Sequence, residues 1–174
     1  MQGRDVVLGL LNETSRTGYE IKTIIETQLS YFFDASIGMI YPTLRKLEKE
    51  GKIKKERVYQ ADKPNKNVYT ITADGKAEFA AYLNSPVAAD IYKSDCLMRL
   101  YFGDELPKAE VISIIHQEIK QKQNLLDYLQ GQYDHWVGSG MNPTKKIALD
   151  YGIANYQAAI KVLQQSLAEL HADN

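Results

Sequence analysis

The chain has 174 residues, 44% hydrophobic and 25% charged, with a formal net charge of −1, proportions ordinary for a soluble globular protein of one domain or two small ones. No apolar run approaches the roughly 20 residues that a membrane-spanning helix needs. The N-terminus lacks the layout of a secretory signal, and the single cysteine, Cys96, cannot form an intramolecular disulfide, so a cytoplasmic location is expected.

A net charge near zero excludes a molecule that attracts nucleic acid over its whole surface, so any polyanion must meet a local patch. One exists. Residues 45–66 hold nine basic side chains (Arg45, Lys46, Lys49, Lys52, Lys54, Lys55, Arg57, Lys63, Lys66) against four acidic ones (Glu48, Glu50, Glu56, Asp62). Charge alone fits a solvated helix face followed by a charged hairpin at least as well as it fits a polyanion site.

In chain order, Val6-Val7-Leu8-Gly9-Leu10-Leu11 is a short apolar block that predicts a compact buried helix, ending at Asn12-Glu13-Thr14-Ser15. Thr17-Gly18-Tyr19-Glu20 has the spacing of a capping box, and Ile21, Ile24, Ile25 and Leu29 supply an apolar face behind it. Tyr31-Phe32-Phe33-Asp34 breaks the period and reads as a turn with aromatic plugs. A third helix is expected from Ser36 to Glu50, with Ile37, Ile40, Leu44 and Leu47 on one face and Ser36, Met39, Thr43, Lys46 and Lys49 towards others. Gly51 is its stop.

The period then changes. Ile53 to Gln60 is strand-like, residues 61–67 are rich in turn formers, and Val68-Tyr69-Thr70-Ile71-Thr72 reads as a returning strand. Thr72 caps a further helix that runs to Asn84-Ser85-Pro86, with Asp74 in its first turn. Three helices followed by a hairpin make a winged helix-turn-helix domain over residues 1–85, whose third helix can enter a major groove while the hairpin touches the flanking backbone. The expected fold is mainly α, with this N-terminal domain followed by a helical C-terminal domain over 86–174.

Residues 87–106 read as a hinge with one helical stretch, Tyr92 to Phe102, and Pro107 suits a first helical position. Ile112, Ile115, Ile119, Lys122, Leu126, Leu129 and Tyr133 then repeat at steps of three and four, with Lys122 the polar exception. After Gly138-Ser139-Gly140, Asn142-Pro143 starts a last helix with Ile153, Tyr156, Ile160, Leu163, Leu167 and Leu170 in the same rhythm. The two stripes are expected to pack on each other and on a partner chain, making a homodimer through Ile112, Ile115, Ile119, Ile153, Tyr156, Ile160, Leu163 and Leu167. The alternative is a monomeric helical hairpin.

These residues resemble the PadR family of bacterial transcriptional regulators. The match begins with Leu8-Gly9-Leu10-Leu11 and Gly18-Tyr19-Glu20-Ile21 and continues through residues 38–51, then Tyr69-Thr70-Ile71-Thr72-Ala73-Asp74-Gly75. The run Ile40-Tyr41-Pro42-Thr43-Leu44, followed by Leu47 and Gly51, is its most specific piece, because Tyr-Pro inside a helical pattern is unusual. Residues 93–102 and Tyr151-Gly152-Ile153 are similar to the longer branch of the family. That branch includes repressors of phenolic acid decarboxylase genes, released by hydroxycinnamic acids such as p-coumarate and ferulate. The resemblance implies a dimeric repressor of near-palindromic double-stranded operator DNA with a phenolic acid as effector, or a relative controlling another stress or multidrug-efflux gene.

For DNA contact, Ser36 suits a phosphate at a helix start or an N-cap. Gly38 allows close backbone approach, and Met39, read as outward-facing, can meet a thymine methyl. Tyr41 offers a phenol to DNA or packs beside Ile40, and Arg45 and Lys46 are the cations of the third helix unless they pair with Glu48 and Glu50. Lys63, Lys66 and Asn67 are the wing candidates, with Lys66 at a basic wing position of the family, and Tyr19 is a phosphate donor at the start of the second helix. For an effector, Tyr92 and Trp136 could stack on a planar phenol while Arg99 or His116 holds its carboxylate, although core packing serves each aromatic as well.

Two other classes compete. An enzyme is disfavoured because His116, His135 and His171 are scattered and the sequence has no G-x-S-x-G, HExxH, CxxC or P-loop. No cofactor or metal is expected, since Cys and His do not cluster. A winged-helix protein adaptor remains open, but has little reason to combine a basic hairpin with a Tyr-Pro helix.

Overall fold

Local sequence signals account for most elements of the computed structural model, which describes residues 2–30, 32–33, 37–59 and 65–172. The chain divides into two compact units, Met1–Asp90 and Ile91–Asn174. No helix among the described residues is long and apolar enough to cross a membrane.

The first unit opens with α1 (Gly3–Glu13), longer at both ends than the apolar block. The Asp5 carboxylate accepts from the Gln2 backbone N–H at 2.6 Å and so starts the helix earlier. A two-residue strand, β1 (Arg16–Thr17), leads directly into α2 (Gly18–Gln28). The capping box forms: the Glu20 N–H donates to Thr17 Oγ1, and Glu20 accepts from the Thr17 N–H at 2.6 Å. The Tyr31–Asp34 turn lies partly outside the described residues, but Phe33 packs against the core of this unit.

The expected third helix is divided in two. A 3-10 turn over Ile37–Met39 precedes α3 (Ile40–Lys49), as suits Pro42, which has no N–H for an interior helical hydrogen bond and is tolerated in a first turn. Gly51 ends α3 with φ +71°, and the Lys52 N–H returns to the Leu47 carbonyl. The wing is β2 (Ile53–Val58) paired antiparallel with β3 (Lys66–Ile71), in register Ile53↔Ile71, Lys55↔Tyr69 and Arg57↔Asn67.

β1 pairs with the other edge of β3, giving the order β1-β3-β2. A strand of two residues is too short to show a period of two, so the sequence carried no signal for it. Thr72 caps α4 (Ala73–Leu83), accepting from the Gly75 N–H.

Val7, Leu8, Leu11, Ile21, Ile40, Leu44, Leu47 and Ile53 are almost wholly buried where these elements meet, each contributing about 1.5–3 kcal/mol over an exposed side chain. Arg4 joins α1 to the end of α3 and to α4, donating to Glu78 at 2.6 Å and Glu50 at 2.9 Å.

In the second unit, α5 (Asp95–Tyr101) is shorter than the expected Tyr92–Phe102 helix. Ser94 Oγ accepts from the Leu97 N–H and caps the helix there. Cys96 is buried on α5, and burial pushes its thiol up, so it acts as a small core residue and a poor nucleophile. α6 (Lys108–Gly138) begins one residue after Pro107, and α7 (Pro143–Ala172) begins at Pro143.

The two long helices run antiparallel, with Ile115 against Leu163 and Leu167 at one end and Tyr133 donating to Asp150 at the other. Lys122, the polar residue in the stripe, is accommodated by Glu118 at 2.9 Å and by the Tyr156 ring 5.8 Å away. The expected dimer residues therefore face inward within one chain. Ile115, Tyr156, Ile160, Leu163 and Leu167 are buried there, and Ile112, Ile119 and Ile153 are half-buried. Heptad spacing specifies that a helix has a seam, and within one chain the hairpin fills most of it, leaving Ile112, Ile119 and Ile153 half-buried.

Candidate nucleic-acid interface

α3 presents two opposed faces. Ile40, Leu44 and Leu47 are sunk in the core, while Pro42, Arg45, Lys46 and Lys49 lie on the exposed side. The carboxylates that could have neutralised the cations are engaged elsewhere: Glu48 with Lys55 at 3.1 Å and Glu50 with Arg4 at 2.9 Å. Among the described residues, neither Arg45 nor Lys46 has an ion pair. An open cation on an exposed helix face is what a phosphate contact requires. Lys49, which was not among the expected contacts, lies on the same face, and its helical angle places it between Arg45 and Lys46.

Tyr41 is 51% exposed, yet the near edge of its ring covers Gly18 at the start of α2, where an added Cβ would come within 2.8 Å of it. It thus packs on α2 through Cε1 and Cζ, the hydroxyl-bearing end of its ring, while half of the residue stays exposed. Tyr19 is exposed in the first turn of α2, and Gly38 is exposed in the 3-10 turn with open space around it.

Met39 corrects an expectation. Its side chain turns inward, filling the space over Gly3 of α1 and packing against the core. The 3-10 turn before α3 changes the angular phase, so Met39 does not follow the helical spacing that made it look outward-facing. Ser36 and Lys63 lie outside the described residues.

On the wing, Lys66 and Asn67 are both exposed, but adjacent strand residues point to opposite faces. Asn67 is paired with Arg57 and Lys66 with Val58. The Asn67 face is also the α3 side, because Lys55 on that face reaches Glu48 of α3, and Tyr69 on it is buried. Burial pushes the Tyr69 phenol up from its ordinary value.

At the start of α2, hydrogen bonds from the Thr17 backbone N–H and then its hydroxyl hold the Glu20 carboxyl below its ordinary value of 4.5, with Lys66 and Arg16 adding smaller attractions. A lowered folded-state value adds stability above the unfolded value, and this is lost as pH falls through the folded one. Glu20→Gln should therefore flatten the acid limb of thermal stability below about pH 4.5. Melting followed from pH 6 to pH 3 checks this, and an unchanged limb would remove Glu20 from the account.

The expected effector residues do not come together. Tyr92 is exposed in a stretch without regular structure, Arg99 is exposed and bound to Asp95 at 2.7 Å, and His116 is exposed on α6. Trp136 packs edge-on against Tyr128. His116 and Trp136 stand on one continuous helix, about 30 Å apart at 1.5 Å per residue, so they cannot line one pocket within a chain. A groove of about 370 Å3 between α6 and α7 is lined by Gln130, Tyr133, Asp134, Asp150, Ile153, Ala154 and Gln157, and by none of the four.

Comparison with known proteins matches residues 7–81 to the transcriptional regulator PadR-like family and residues 92–171 to the virulence activator alpha C-terminal family. The negative transcriptional regulator PadR of Bacillus subtilis is 30% identical over 161 residues, 91% of this chain and 86% of that protein. The chain belongs to the PadR-like family of transcriptional regulators.

Solved structures agree in fold. The PadR-like regulator BC1756 of Bacillus cereus is 44% identical with a TM-score of 0.87, over 99% of this chain and 100% of that one. The smu.1604c protein of Streptococcus mutans is 49% identical with a TM-score of 0.92, over 97% and 99%. Bacillus subtilis PadR in complex with operator DNA is 26% identical with a TM-score of 0.75, over 96% and 98%, and the same protein has been solved with p-coumaric acid.

Proposed function

We propose that this PadR-like regulator binds near-palindromic double-stranded operator DNA as a homodimer, with α3 in the major groove and the wing on the flanking backbone. In this reading it represses a phenolic acid stress gene, such as one for phenolic acid decarboxylase, and hydroxycinnamic acids release it. The observation that carries the DNA contact is the outer face of α3, where Arg45 and Lys46 stand exposed while the neighbouring carboxylates are bound to other cations. Tyr19, Gly38, Tyr41, Lys66 and Asn67 remain as contacts around it. The phenolic acid reading draws its support from the Bacillus subtilis relative.

A second copy of the chain has a face to meet. Ile147, Tyr151, Ala154, Ala158 and Val162 are all exposed on α7 and fall within about 80° of arc at 3.6 residues per turn. They lie nearly opposite Leu149, Tyr156, Ile160, Leu163 and Leu167, which face α6. A surface helix needs one apolar stripe, and α7 has two.

The scatter of Tyr92, Arg99, His116 and Trp136 favours a second reading, in which the same DNA-binding scaffold answers to a different effector.

A mobility-shift assay on the DNA upstream of the chain's own gene, with and without p-coumarate, tests the proposal. Retardation abolished by p-coumarate supports it in full, and retardation indifferent to it selects the second reading. No retardation of any duplex overturns the DNA contact itself. Arg45→Ala should weaken binding to every sequence and lower the slope of log affinity against log salt by about one unit, with the elution volume unchanged. A wild-type slope would take Arg45 off the interface.

A further inference from the structure

Beyond these contacts, the wing carries a guanidinium held in place by an aromatic ring. Arg57 lies with its Cζ 5.5 Å from the centroid of the Tyr59 ring. Both side chains are exposed, Tyr59 by 75%. They are two residues apart on an extended segment, so they share a face, and the strand register shows which one. Ile53, Lys55 and Arg57 alternate along the same side of β2, where Ile53 is core and Lys55 reaches α3. Arg57 therefore continues the α3 side of the wing outward, past the point where Lys55 is neutralised by Glu48.

The other cations of the wing differ in ways that matter. Among the described residues, Lys54 and Lys66 belong to the opposite face, where Lys66 acts on Glu20 at the start of α2, and Lys55 is paired. Arg57 has no acidic partner among the described residues. A guanidinium set beside a ring keeps N–H donors open, and its planar fork matches two oxygens of one phosphate. It also restrains a long side chain before binding, so less rotamer freedom is lost on contact. Among the described residues, Tyr59 is not part of the core cluster of its unit.

We propose that Arg57, positioned by the ring of Tyr59, grips the phosphodiester backbone of the duplex beside the groove that α3 enters. This rests on the DNA-binding reading above. Tyr59 is a positioning residue: its ring orients the guanidinium, and its hydroxyl is dispensable.

The test measures affinity for duplex DNA from about 50 to 200 mM salt, using the full chain and both an operator fragment and an unrelated duplex, with thermal melting as a check on folding. Arg57→Ala should lower the salt slope by about one unit on both duplexes without moving the melting point. Arg57→Lys should keep the slope and still bind more weakly, because an ammonium lacks the planar fork. Tyr59→Ala should weaken binding, and Tyr59→Phe should restore it. A wild-type slope in Arg57→Ala overturns the assignment, and equal loss in Tyr59→Ala and Tyr59→Phe overturns the role of the ring. Failure of the unsubstituted protein to retard any duplex is a different result, which overturns the DNA-binding reading and this contact with it.

Discussion

Gly75→Ala destabilises the first unit by about 3 kcal/mol, near the upper end of what overpacking a core usually costs. Gly75 sits in the first turn of α4, buried against the root of the wing. A Cβ there would come within 2.2 Å of the Lys52 carbonyl oxygen and 2.8 Å of Ile71 Cγ1. The first neighbour is backbone, and it is pinned, because the Lys52 carbonyl accepts from the Thr72 N–H at 3.0 Å and lies 3.0 Å from Thr72 Oγ1. Making room for one methyl group means moving α4 away from the wing, with loss of the Thr72 cap.

The expected reading is a melting point lower by about 10 °C or more for a unit of this size. Gly131→Ala is the control: Gly131 is exposed inside α6 with nothing within 4 Å of an added Cβ, so it should hold or slightly raise stability, by up to about 1 kcal/mol. Equal melting points for the two variants would show that the close approach at Gly75 has no energetic consequence.

Val162→Asp separates association from folding. Val162 is 59% exposed and Ile160 is 5% exposed, although the two are only two positions apart on α7. Aspartate at 162 leaves the α6–α7 hairpin intact in an isolated chain but places a charge in the proposed contact with a second copy. An unpaired buried charge costs about 3 kcal/mol or more, a loss of over a hundredfold in association. Ile160→Asp puts the same charge into the hairpin itself and should remove about 3–5 kcal/mol of stability. Sedimentation and helical circular dichroism distinguish the cases: Val162→Asp should be helical and monomeric, and Ile160→Asp poorly folded. A Val162→Asp variant that associates like the parent would rule out this stripe as the contact.

Much of the first unit was legible because its signals are short-range. The Thr17–Glu20 box, the Thr72 cap and the stop at Gly51 each depend on residues within three or four positions, and the structure forms all three. Met39 was misread for the complementary reason: its direction depends on a 3-10 turn whose departure from helical phase has no spacing signature, and on Gly3, 36 residues earlier, leaving room for its methyl. Of the expected effector residues, His116 and Trp136 do not meet within one chain. Aromatic and basic side chains can be picked out by type, but His116 and Trp136 belong to one unbroken helix, and that continuity holds them apart.

The order of the helices and the two wing strands, the opposed faces of α3, and the family were legible in the residues alone, while β1 was not. These follow from caps, turn formers and periodicity, which act within a few residues. Which cations lack an acidic partner depended on long-range contacts, because Glu48 and Glu50 meet Lys55 and Arg4 across space instead of Arg45 and Lys46. The tertiary structure also decided what the heptad stripes do. The two stripes pack on each other within a single chain, with Ile112, Ile119 and Ile153 left half-buried, and α7 carries a second apolar stripe on its far side, which periodicity alone cannot tell from a solvated surface.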